Sequence, residues 1–112
     1  MSFTAELEVN NSLAKITLSG ELDASTAPTF KEKVEEAAKE NVNRLVLMMA
    51  DLEFMASAGL RILIFSKQKM GSEVDIYLIS PQEMVLDTLE KTGFHHSVII
   101  LDSYDEVELE TV

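Results

Sequence analysis

Few side chains in this chain are equipped for chemistry, and Ser57 stands out by its position. It lies in LEFMASAGLRIL, residues 52 to 63, between Ala56 and Ala58 with Gly59 next, where an apolar run gives way to a helical pattern. The first turn of a helix leaves backbone N–H groups unpaired and carries the positive end of the dipole. A hydroxyl there can serve as an N-cap worth about 1 kcal/mol. A phosphate there would instead meet the N–H groups of Ala58, Gly59 and Leu60 and would add about −1.5 to −2 charges. The small neighbours leave room for an approaching partner, and local chemistry leaves both roles open.

Other reactive groups are sparse. His95 and His96 are the only histidines; in an extended segment they would point to opposite sides and could not share a metal ion without irregular backbone, so a partly exposed loop pair is expected. The acidic residues fall mostly on polar helix faces or in turns, and no two are forced together as general acid and base. Gly20, Gly59, Gly71 and Gly93 never approach the spacing of a phosphate-binding loop. There is no cysteine, hence neither disulfide nor thiolate metal site. The expectation is a protein that is not an enzyme, with no metal and no cofactor.

The whole chain constrains its partners. At 112 residues, 46% of them hydrophobic, it has the material for one domain around one continuous core. Its formal charge of −11 disfavours direct binding to nucleic acid, which depends on Lys and Arg neutralising phosphates. Anionic membrane surfaces are disfavoured for the same reason. No segment approaches the roughly 20 apolar residues of a membrane span, and MSFTAELEVNN lacks the positive start of a signal peptide, so a soluble cytoplasmic protein is expected. An acidic surface suits a partner with a basic face, although solubility alone explains it.

The elements that must position Ser57 follow from hydrophobic periodicity. Residues 3 to 9 alternate weakly and residues 13 to 19 clearly, with Asn10, Asn11 and Ser12 between them, which predicts an antiparallel hairpin ended by Gly20. From Ser25 the period becomes helical through Ala27, Phe30, Val34, Ala37 and Ala38, with Asp23, Ser25 and Thr26 as possible caps and Pro28 tolerable in the first turn. RLVLMMA, residues 44 to 50, reads as a strand buried on both faces, which after a helix implies a parallel neighbour. Ser57 to about Met70 is the next helix, with Leu60, Ile62, Leu63, Ile64 and Phe65 expected to be deeply packed.

Residues 73 to 80 supply another strand. A helix follows, with a capping box of Ser80 and Glu83, Pro81 in its first turn, Val85, Leu86 and Leu89 facing the core and a Gly93 C-cap clasped by Phe94. Residues 97 to 101 form a last short strand. In the tail, Ser103 and Glu106 suggest a short helix carrying Val107, while VELETV also alternates like an edge strand. The methionines at 48, 49, 55, 70 and 84 are expected to fill core space. The order β-β-α-β-α-β-α-β predicts an α/β fold: a mixed central sheet of four to five strands with helices mainly on one face.

Three pieces of the chain, SGELDASTAPTFKEKV, LVLMMADLEFMASAGLRIL and VDIYLISPQEMVLDTLEKTGFHHSVII, together resemble a STAS domain. In order and spacing they resemble in particular the single-domain anti-sigma factor antagonists of bacterial partner-switching systems. The resemblance implies the STAS fold and a module that binds an anti-sigma factor serine kinase with an ATPase-like fold. That kinase phosphorylates a serine in an Asp-Ser-Ser/Ala/Thr-Gly-Leu motif, and a PP2C-type serine phosphatase reverses the step. Ser57 corresponds to the modified serine, with Ala58, Gly59, Leu60 and Arg61 in register, and Asp23 to an aspartate of the kinase-facing surface.

The implied docking face comprises the turn from Gly20 to Thr26, with Asp23, Ala24, Ser25 and Thr26, the loop from Asp51 through Phe54, Met55 and Ala56 to Ser57, and the first turns of the helix to Arg61. Two positions depart from the family pattern. Ala56 replaces the acidic residue before the serine, and Met48 replaces an aspartate or asparagine of the third strand. The resemblance also admits a second job, a STAS subunit of a transporter or signalling assembly in which Ser57 is a cap without a phosphorylation switch.

Overall fold

The structure, a computed structural model, describes residues 3–104. β1 (Thr4–Asn10) and β2 (Leu13–Leu22) form the expected antiparallel hairpin, with Asn11 at the turn in the left-handed region at φ 58°. α1 (Ala27–Ala38), β3 (Arg44–Met55), α2 (Ser57–Met70), β4 (Asp75–Ile79), α3 (Glu83–Thr92) and β5 (Ile99–Leu101) follow, with a 3-10 turn at Phe94–Ser97 before the last strand. The sheet runs β1-β2-β3-β4-β5, and every pair after the first is parallel. Three crossovers that all step the same way, each of the usual hand, place their helices on one face. The main core accordingly joins Phe30 and Val34 of α1, Leu60 and Leu63 of α2, and Val85 and Leu89 of α3 to Ile16, Leu47, Met49 and Leu78 of the sheet. On the other face Val46, Tyr77 and Ile79 form a smaller buried cluster.

Two expectations for the strands fail together. β2 does not stop at Gly20 but runs to Leu22, and β3 continues through residues assigned to a loop, to Met55. Thr17 and Ser19 pair with Met48 and Asp51, and Gly20 and Glu21 with Leu52 and Phe54, so β3 carries one extra residue at each of two bulges. Each bulge resets which side chains face inward. Met49, Leu52 and Met55 are therefore all buried at a spacing of three, where an unbroken strand would send every second one in. Gly20, on the core-facing parity of β2, meets this distortion at φ 90°, a conformation that suits glycine.

The capping box of the third helix does not form. Ser80 takes φ 54°, donates its N–H to Leu101 O at 2.9 Å and its hydroxyl to Asp102 O, and so serves the β4–β5 edge. α3 consequently begins at Glu83, behind an extended Gln82 whose side-chain amide donates to Ala50 O at 2.7 Å. The C-cap holds, with Gly93 left-handed at φ 78° and Phe94 packed on the core. Two residues expected inside lie at the surface, Ile64 at 40% and Met84 at 56% exposure, because each sits on the outer side of its helix. The helix expected around Val107 lies outside the described residues.

Candidate functional site at the start of the second helix

Leu22 and Met55 are the last paired residues of the two central strands. The turn beginning at Asp23 and the helix beginning at Ser57 therefore emerge side by side at the carboxyl edge of the parallel strands. The junction is tied directly, since Ala56 donates its N–H to Leu22 O at 2.8 Å. It is also packed without slack. A Cβ on Gly59 would lie 2.7 Å from Leu22 Cγ and 2.9 Å from Met55 Cγ. Glycine at this position lets the first turn of α2 press onto the ends of both strands, and that contact fixes where Ser57 projects.

Ser57 is not the N-cap. The cap is Ala56, extended at ψ 172° and without a side-chain acceptor, and Ser57 is the first helical residue. Its side chain is exposed, and its hydroxyl has no hydrogen bond among the described residues. Capping therefore does not account for this serine. Of the three N–H groups expected to await a phosphate, those of Gly59 and Leu60 already donate to Ala56 O, at 2.9 and 3.2 Å. The open amides are those of Ser57 and Ala58, one residue earlier than expected.

Across the junction, the Asp23 carboxylate organises its own turn. Its Oδ1 accepts the Ser25 hydroxyl at 2.7 Å, the Ser25 N–H at 2.9 Å and the Thr26 N–H at 3.2 Å. Thr26 in turn donates its hydroxyl to Glu21 O and accepts the Asp23 N–H, both at 2.9 Å. The Ser25 hydroxyl bond is the chief reason the Asp23 carboxyl titrates below the ordinary value of 3.8; the backbone donors reinforce it, and partial desolvation opposes it. A folded-state pKa below the unfolded one contributes stability that is present above pH 3.8 and lost as pH falls through the folded value. Asp23→Asn is thus expected to be less stable than the parent at neutral pH, with the difference closing in strong acid. Urea titrations at both pH values measure this, and a gap that stays constant would refute it.

The other residues expected at this face divide by exposure. Ala24, Ser25 and Arg61 are exposed, Phe54 is 39% exposed, and Ala58 is half-buried. Met55, Gly59 and Leu60 are buried, so they support the surface from beneath. Met48 lies away from Ser57, on the helix-free face against Val46, Tyr77 and Ile79. Sequence reasoning missed Leu22, because nothing in a strand leucine announces contact with a glycine 37 positions later. The histidines form the partly exposed pair expected of them, but in a 3-10 turn and not an extended segment, which brings their rings together at 3.9 Å between centroids and a tilt of 37°. No group of three or more metal-ligating side chains occurs among the described residues.

An open mixed sheet with helices on one side, and an exposed serine with small neighbours at its carboxyl edge, describe a compact α/β module. The chain belongs to the STAS domain family, which matches residues 4–108. Within known proteins it is similar to the anti-sigma-F factor antagonist RsfB of Mycobacterium tuberculosis, at 30% identity over 79 residues. That stretch is 70% of this chain and 65% of RsfB, so the match spans just under two thirds of that relative. In structure it is similar to an anti-sigma factor antagonist from Mycobacterium paratuberculosis, with TM-score 0.88 at 23% identity over 97% of this chain and 93% of that one. It is also similar to the phosphorylated form of the Bacillus cell fate determinant SpoIIAA, with TM-score 0.76 at 18% identity over 99% and 100% of the two chains. At such identities the structural likenesses speak to the fold. No helix among the described residues is long and apolar enough to cross a membrane.

Proposed function

We propose that this protein is an anti-sigma factor antagonist. It binds an anti-sigma factor serine kinase with an ATPase-like fold through the Asp23 turn, Phe54 and the first turns of α2, and phosphorylation of Ser57 ends that binding. The observation that carries the reading is the state of Ser57: exposed, without a hydrogen bond among the described residues, and set by the Gly59 contact at the junction of β2 and β3. In the forward step Ser57 Oγ attacks the γ-phosphorus of ATP, the bond to the β-phosphate oxygen breaks, and ADP leaves as the hydroxyl proton passes to solvent or a base. A PP2C-type phosphatase returns the serine by hydrolysis, releasing inorganic phosphate. The named antagonists among its relatives support the partner class, and the cytoplasm is where such a partner would be met. Capture from native lysate on the immobilised protein, with mass-spectrometric identification, tests the reading. Recovery of a serine kinase of this class supports it, and recovery of transporter components without a kinase overturns it.

Ala56 favours one specific variant of this reading, a module that binds its kinase but is modified slowly. A carboxylate beside the serine can accept its hydroxyl proton and hold Oγ toward the γ-phosphate, and Ala56 cannot. Ala56→Asp is therefore expected to raise the phosphorylation rate about tenfold and, as a better N-cap, to stabilise the fold by about 1 kcal/mol. Single-turnover phosphorylation and urea denaturation read the two effects separately. A stabilised variant with an unchanged rate would remove Ala56 as the cause of slow modification.

A further inference from the structure

We infer that Arg61 is an internal clamp for the phosphorylated form of Ser57, an inference that rests on the reading of Ser57 as a phosphorylation site. The two residues stand at i and i+4 on α2, one face of the helix, with Cβ atoms about 5–6 Å apart by helix geometry. Helical side chains lean toward the N-terminus, so Arg61 reaches back over the turn that holds Ser57. Both side chains are exposed. The Arg61 guanidinium has no hydrogen bond or ion pair among the described residues, whereas Lys15, Lys33 and Lys91 are each engaged with a carboxylate. The other cations of α2, Lys67 and Lys69, lie in its last turn.

The surroundings make that unengaged cation matter. Asp23 follows the end of β2 and Glu53 lies near the end of β3, the edge from which α2 starts, so a phosphate dianion on Ser57 adds charge to an acidic edge and is repelled by it. The amides of Ser57 and Ala58 and the positive end of α2 offset part of that repulsion. A planar guanidinium supplies the rest, since it can hold two phosphate oxygens at once. Ala56 takes on a second meaning here: the position directly before Ser57 holds no carboxylate to compete with the phosphate for Arg61. Phosphorylation then changes the docking face twice, by adding a dianion and by withdrawing the one cation that the first half of α2 offers to a partner.

The test uses the full chain with phosphoserine installed at position 57 during translation, so that no kinase is involved. Titration followed by phosphorus NMR reads the second phosphate pKa, ordinarily about 6. The clamp predicts a value lower in the parent than in Arg61→Gln by about half a unit, partly recovered in Arg61→Lys and diminished by high salt. Identical titrations in the parent and Arg61→Gln would overturn it. Since the phosphate is placed without the kinase, that failure is distinct from failure of a kinase to bind or to modify Ser57.

Discussion

Ser57→Asp is expected to lower affinity for the kinase partner by about 100-fold or more, a cost of roughly 2.7 kcal/mol, while leaving the melting temperature within a degree or two of the parent. The two halves of this result have separate causes. Folding loses nothing, because the Ser57 hydroxyl makes no bond among the described residues and the side chain is already in water. A carboxylate in the first turn of α2 is even mildly favourable to the helix dipole. Binding loses heavily, because a closed interface must strip water from the new charge and leave it without a designed partner, a change that costs about 2–5 kcal/mol in comparable interfaces. Ser57→Ala separates charge from shape, and it should bind about as well as the parent. Titration calorimetry with thermal melts reads both quantities on the same samples. Loss of affinity accompanied by a lowered melting temperature would mean that Ser57 has a structural role after all.

The second large effect is on stability and comes from the glycine beneath the serine. Gly59→Val is expected to destabilise the fold by about 3 kcal/mol, and Gly59→Ala by about 1–2 kcal/mol. Overpacking costs about 1–3 kcal/mol, and replacing glycine in a helix returns at most about 1 kcal/mol. The new Cβ would meet Leu22 Cγ at 2.7 Å, and Leu22 and Met55 are too deeply buried to swing away. A loss of this size lowers the melting temperature by roughly 4–8 °C per kcal/mol. Because the clash is with one identified side chain, Leu22→Ala should rescue Gly59→Ala in part: the double variant loses less than the sum of the two single losses. Strict additivity would show that the glycine serves local helix conformation and not the approach to Leu22. The partner's affinity for Gly59→Ala, measured below its melting range, should also fall, since the strained contact shifts the turn that presents Ser57.

The hairpin, the alternation of strands and helices and the one-sided helical layer could be read from the chain because each rests on an unbroken period. β2 alternates strictly from Leu13 to Leu22, and the buried positions of α1 fall at helical spacing. The end of β3 could not be read in this way. Met49, Leu52 and Met55 are three apart, a spacing foreign to a regular strand, and only pairing with β2 at two bulges reconciles it with a sheet. The capping box at Ser80 failed for a related reason. Its local grammar was sound, but the Ser80 N–H that the box would give to Glu83 goes to Leu101 O at the sheet edge, and Ser80, at φ 54°, lies two residues before the actual cap, Gln82. Both misses are cases where a tertiary partner decided between local options.

At the candidate site, the address of Ser57 was visible in the sequence and its unbonded state was not. Whether a serine at a helix start caps or projects depends on which residue is extended, and that is Ala56, one position earlier. The shift by a single residue also determines which amides stay open. Asp23 was legible as a turn residue. That its carboxylate is committed to Ser25 and Thr26, which makes it an organiser of the face more than a free contact, required coordinates.

The most direct measurement of the central claim is to incubate the protein with its captured kinase and ATP and to follow intact mass and complex formation together. The account predicts the gain of one phosphate located on Ser57, dissociation of the complex as it accumulates, no modification of Ser57→Ala, and rebinding after phosphatase treatment. A complex that persists in ATP with no phosphate on Ser57 would contradict the switch and leave a module that binds without being regulated there.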